Sequence, residues 1–276
     1  MPLVQRITGV VSMLFDLLLA PFTPLPWLAM VVVCVITAAW ALQLFKWATP
    51  QTMLNATRDR LIGHIYEMGL YQDHLRVLAR IQGRLALANL RYLSLTLPAL
   101  LVMIPPMILT LGQIEGRFAQ RPLQKGEETV LTVYLADAYR NQVSTVEVGI
   151  PAGLEVTAGP VRNQHTGTVS WRLQVLEPGR HELAFRRAGQ GAGRFTLEAA
   201  GGLPLLHRRT ENSAWKSLLY PGSLVIREAH GLDGISVQWP KRHTRYLGLP
   251  LPWLPAFMIL SLLAGLGLKK PLRVSL

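Results

Sequence analysis

"TPQTMLNATRDRLIGHIYEMGLYQDHLRVLARIQGRLALANLRY" (residues 49–92) is a polar, arginine-bearing stretch set between two long apolar runs. Its own apolar residues keep helical spacing. Leu54, Leu61, Ile65 and Met68 step by seven, four and three, and Leu78, Ile81, Leu85 and Ala88 by three, four and three. Each series is a narrow seam of the coiled-coil kind. Gly69 can end the first helix and Asp73 can cap the second, which predicts a pair of antiparallel helices over 46–91.

The flanks decide where that hairpin sits. Half of the 276 residues are hydrophobic and 16% are charged. Three runs, 27–45, 92–114 and 247–268, carry no charge, and each is near the roughly 20 residues that a helix needs to cross hydrocarbon. The chain therefore reads as a multi-span α-helical membrane protein. Within residues 1–26, Arg6 ahead of an apolar stretch has the outline of a signal peptide, but Asp16 interrupts it. Gln5, Thr8, Ser12 and Asp16 fall on one helical stripe, with Val4, Ile7, Val11, Leu14 and Leu18 opposite. That pattern suits an amphipathic helix in the membrane interface. "PFTPLP" (21–26) then turns the chain into the first span.

Orientation follows from the basic residues. The 46–91 loop holds seven Lys/Arg against three acids, and "KKPLR" opens the basic tail 269–276, so both are expected in the cytoplasm. Residues 115–246 hold 17 Lys/Arg and 12 acids, but a segment of that length is translocated largely regardless of charge. The expected location is a bacterial cytoplasmic (inner) membrane, with 115–246 on the outer side. The net charge of +12 is spread over both faces, without a nucleic-acid-reading motif, and a nucleic-acid partner is not expected.

Residues 115–246 have a period of two. "TVLTVYLA", "STVEVGI", "GLEVTAG", "TVSWRLQVL", "HELAFRR" and "RFTLEAA" alternate apolar and polar positions between Gly, Pro and Asn. Six such strands predict an extracytoplasmic all-β domain, an immunoglobulin-like sandwich, with Trp171 and Phe185 in its core. "LVIREA" and "GISVQWP" are either further strands or part of a linker along the membrane surface.

Motifs for catalysis are sparse. Cys34, the only cysteine, lies in the first span, and the seven histidines lack metal-ligand spacing. "GQGAGRF" lies between strands with no helix after it to hold a phosphate, so it reads as a hairpin turn. "PGSLV" lacks the second glycine of a nucleophile elbow. Neither an enzyme nor a cofactor or metal site is expected.

Two polar features remain. Arg58, Arg60, Arg76, Arg80 and Arg84 decorate the hairpin, as a solvated face or as contacts to lipid headgroups or a client chain. In "LPALLVMIPPMIL", Pro98, Pro105 and Pro106 remove the backbone donors that would serve the carbonyls of Ser94, Leu101 and Val102. With Ser94 and Gln113 they form either a static kink or a hydrated break in span two. The spans otherwise offer Thr37, Gln43, Thr96, Thr110 and Ser261 as polar groups, and no charge.

The order of parts, with "LFKWATPQTMLNATRDRL" (44–61) carrying a Lys-x-x-x-Pro-Gln type turn from span one into the hairpin, resembles the three-span core of the YidC/Oxa insertase superfamily. Its small archaeal and endoplasmic-reticulum members are the most similar in layout. The resemblance covers residues 1–114 and 247–276, and the β domain lies outside it. It implies an insertase-like chaperone whose partners are membrane lipids and nascent or newly inserted membrane proteins. The alternative is a structural or assembly subunit of an envelope complex, whose β domain binds an extracytoplasmic protein.

Overall fold

The computed structural model describes residues 2–71, 75–206, 209–211, 231–246, 248–272 and 274. Among these residues five α-helices and ten strands follow one another: α1 (Pro2–Leu19), α2 (Pro26–Ala48), α3 (Gln51–Leu70), α4 (Leu75–Phe118), β1 (Glu128–Leu135), β2 (Val146–Gly149), β3 (Leu154–Asn163), β4 (Thr168–Val175), β5 (Arg180–Arg187), β6 (Gln190–Glu198), β7 (Arg209–Glu211), β8 (Leu232–Val237), β9 (Thr244–Tyr246), β10 (Leu249–Leu251) and α5 (Trp253–Leu268). The chain divides into two units, one of Met1–Met30 with Ile108–Ala256 and one of Val31–Met107 with Phe257–Leu276.

In the second unit the helices follow their apolar runs. Among the described residues, two helical stretches are long and apolar enough to cross a membrane, Pro26–Ala48 and Arg76–Phe118. The third run is shorter as a helix. Leu249–Leu251 pairs with β9 as a strand instead, so α5 begins only at Trp253 and has 16 residues. No boundary falls at Tyr92. α4 runs unbroken for 44 residues, about 66 Å at the usual rise, through Pro98, Pro105 and Pro106. The second hairpin helix and span two are thus one rod. Near the first proline, the Ser94 hydroxyl donates to the Arg91 carbonyl and the Thr96 hydroxyl to that of Leu93.

In the first unit the strands form two main sheets, a five-stranded one in the order β3-β4-β1-β8-β7 and a three-stranded one in the order β2-β5-β6. All pairings are antiparallel. Both sheets supply one buried cluster: Leu131, Val133, Trp171, Leu173, Ile235 and Val237 come from the larger, and Val146, Leu183, Phe185 and Leu197 from the smaller. Burial of such side chains stabilises by roughly 2 kcal/mol each. Strict alternation in β1 and β5 is what turns one face of each inward. All six strands read from the sequence are present, and "GISVQWP" enters β8, whereas "LVIREA" lies outside the described residues, as does Asp73. Only the first residue of "GQGAGRF" (189–195) lies in a turn: Ala188 (φ 49°) and Gly189 (φ 78°) link the paired Arg187 and Gln190 with the positive-φ geometry of tight hairpins, and the rest of the motif is strand β6.

The chain leaves α4 and returns toward α5 through segments zipped together. The Arg121 N–H donates to the Pro240 carbonyl (3.0 Å), the Arg242 N–H donates to the Ala119 carbonyl (3.1 Å), and Gln120 bridges Lys241.

Candidate functional site

The hairpin belongs to the second unit. Leu54 and Ile81 are buried, while Leu61, Met68, Leu78, Leu85 and Ala88 are half-buried and Ile65 is 58% exposed. Burial along the two series is thus uneven, complete at Leu54 and Ile81 and lost at Ile65. Arg58, Arg60, Arg76, Arg80 and Arg84 are exposed, the last three at intervals of four that place them on one face of α4. Within the junction motif, the Lys46 ammonium donates to the Leu272 carbonyl (3.0 Å), which fastens the C-terminal tail to the end of α2.

The residues proposed for the break in span two are not gathered in one place. Ser94, Pro98 and Pro105 are exposed and Pro106 is half-buried along the apolar part of α4. Gln113 is fully buried in the other unit, where its amide Nε2 donates to the Ser12 hydroxyl of α1 (2.9 Å).

One turn beyond Gln113 stands a residue that span assignment passed over. The Arg117 side chain has no solvent exposure. Its Nη2 donates to Asp16 Oδ1 at 2.5 Å and to the Ser12 carbonyl at 3.3 Å, its Nη1 donates to Gln113 Oε1, and the Phe15 ring lies 5.6 Å from the guanidinium carbon. Nε has no partner among the described residues. Asp16, by contrast, keeps 65% of its side chain exposed. The polar stripe of α1 is therefore turned onto the end of α4, because Ser12 and Asp16 satisfy a buried cation and a buried amide. Of the apolar positions read on the other side of α1, Ile7 and Leu14 are exposed and Val11 and Leu18 are half-buried. Two sequence signals pointed here: a lone carboxylate in an apolar helix needs a cation, and Gln113 and Arg117 share the face of α4 that can supply one. Neither signal decides by itself, because Arg117 follows the apolar run by three residues and reads as part of the β segment.

The cluster is built to hold two helices together and to present a carboxylate at their edge. Among the described residues, no group of three or more His, Cys, Asp or Glu could hold a metal ion. Compared with models of known families, with curated proteins and with solved structures, the chain matches none.

Proposed function

We propose that this chain is a multi-span protein of a bacterial inner membrane, with the β domain an immunoglobulin-like sandwich on the outer face, and that it assists other membrane proteins to insert or fold. The observation that carries this reading is the continuity of α4. Exposed Arg76, Arg80 and Arg84 stand on the same unbroken helix as an apolar half with three prolines. A client engaged by the arginines is then delivered along a helix whose unpaired carbonyls attract water or polar side chains. Local hydration lowers a barrier that otherwise costs on the order of 3 kcal/mol for a charged residue at the bilayer centre. Replacing Arg76, Arg80 and Arg84 with Gln removes charge with little change in helix propensity. The triple variant is expected to reach normal abundance in the membrane yet fail to support client insertion; normal insertion in cells that depend on the protein overturns the proposal.

A second reading, an assembly subunit, is favoured by the edge strand β3, which exposes every residue after Leu154, including Val156 and Val161. An open edge is a template for a partner strand. A photo-crosslinker at Arg76 captures newly synthesised chains under the first reading, and one at Val161 captures a fixed partner under the second.

A further inference from the structure

A cavity of about 660 Å³ opens within the first unit where the zipped segments meet the start of α2, and it is lined chiefly by Trp27, Arg121, Lys241, Arg242, His243 and Arg245. The balance of charge there is one-sided. Arg121 is paired with Glu127 through two hydrogen bonds of 2.8 and 2.6 Å. Among the described residues Arg242 is held by neutral acceptors: its Nε donates to the Gln120 carbonyl (3.1 Å) and its Nη2 to that of Gly202 (2.8 Å). Among the described residues no carboxylate forms an ion pair with Lys241, Arg242 or Arg245. Burial, with the nearby Arg121 charge second, pushes the Arg242 guanidinium down from its ordinary value. Like charges thus line one pocket, and among the described residues Glu127, on Arg121, is the one carboxylate paired with any of them. Pro26 and Trp27 add the N-terminal end of a 23-residue helix, whose dipole also favours negative charge.

We propose that this pocket binds a phosphate group, as a phospholipid headgroup at the membrane surface or as a soluble phosphate ester. Trp27, 46% exposed at the first turn of an apolar helix, stands where an indole meets the headgroup layer. The lipid source rests on α2 crossing a bilayer; the phosphate chemistry does not, and neither depends on client insertion.

The test uses the full chain purified in detergent, with retained lipid counted by native mass spectrometry after addition of phosphatidylglycerol or of diacylglycerol, which has the same acyl chains and no phosphate. Preferential retention of phosphatidylglycerol is expected, and replacing the exposed Lys241 and Arg245 together with Gln should weaken it at least about tenfold. Arg242→Gln should do the same, and because its loss also frees two carbonyls, the exposed pair is the deciding variant. Displacement of the lipid by millimolar glycerol phosphate supports the site with a soluble occupant; no displacement supports the lipid. Equal retention of both lipids, or undiminished phosphatidylglycerol in the Lys241/Arg245 variant, overturns it.

Discussion

Asp16 Oδ1 and Arg117 Nη2 lie 2.5 Å apart and join helix α1 to the end of helix α4 across 101 positions of sequence. The pair is asymmetric, since the guanidinium is wholly buried and the carboxylate mostly exposed. Removing the carboxylate leaves a buried cation with only neutral acceptors. Asp16→Asn should therefore cost about 1–2 kcal/mol, less than for a fully buried pair because Asp16 keeps much of its hydration. The double variant Asp16→Leu/Arg117→Met should be more stable than Asp16→Leu alone, because apolar replacement of both partners leaves no buried charge. Thermal unfolding in detergent of the parent, Asp16→Leu, Arg117→Met and the double variant measures this; strictly additive losses would refute the coupling.

The β domain should fold apart from the helices, but only when β8 is present. β1 lies between β4 and β8, and Ile235, Val237 and Trp239 belong to the shared core. A soluble fragment of residues 121–242 should unfold cooperatively with a β-type circular dichroism spectrum, whereas 121–206 should lose cooperativity. Equal cooperativity in both would show β8 to be dispensable.

Glu127 gives that fragment an acid dependence of known sign. The hydrogen bond from Arg121 holds the Glu127 carboxyl below its ordinary range. Its contribution is therefore complete above the unfolded value of about 4.3 and is lost as pH falls through the lower folded value. Both side chains are about one-third exposed, so the expected gain near neutrality is modest, about 0.5–1 kcal/mol. Glu127→Gln should destabilise by that amount at pH 7 and converge on the parent in strong acid. Urea titrations at both pH values test it, and a constant gap would remove the ion pair as the cause.

Topology is open to thiol labelling. In a Cys34→Ala background, single cysteines at Tyr66 on α3 and Asn163 at the end of β3, both exposed, should be labelled from opposite sides of the membrane. Labelling of both from one side contradicts the assignment.

The local elements were fixed by sequence alone, since period and length act over neighbouring residues. The charge-free runs set α2 and the apolar part of α4, and two-residue alternation set six strands with Trp171 and Phe185 inward. Tertiary structure decided what each element faces. An isolated pattern gives no reason for α4 to continue through Tyr92, nor for β8 to lie beside β1 about one hundred residues earlier in the chain, because both depend on packing and long-range pairing. The Arg117 cluster belongs with these. Asp16 is an exception within its own segment and Arg117 one basic residue among many in 115–246, and only the packing of α1 on α4 makes them partners, because a buried cation is tolerated where a carboxylate from a distant helix can reach it.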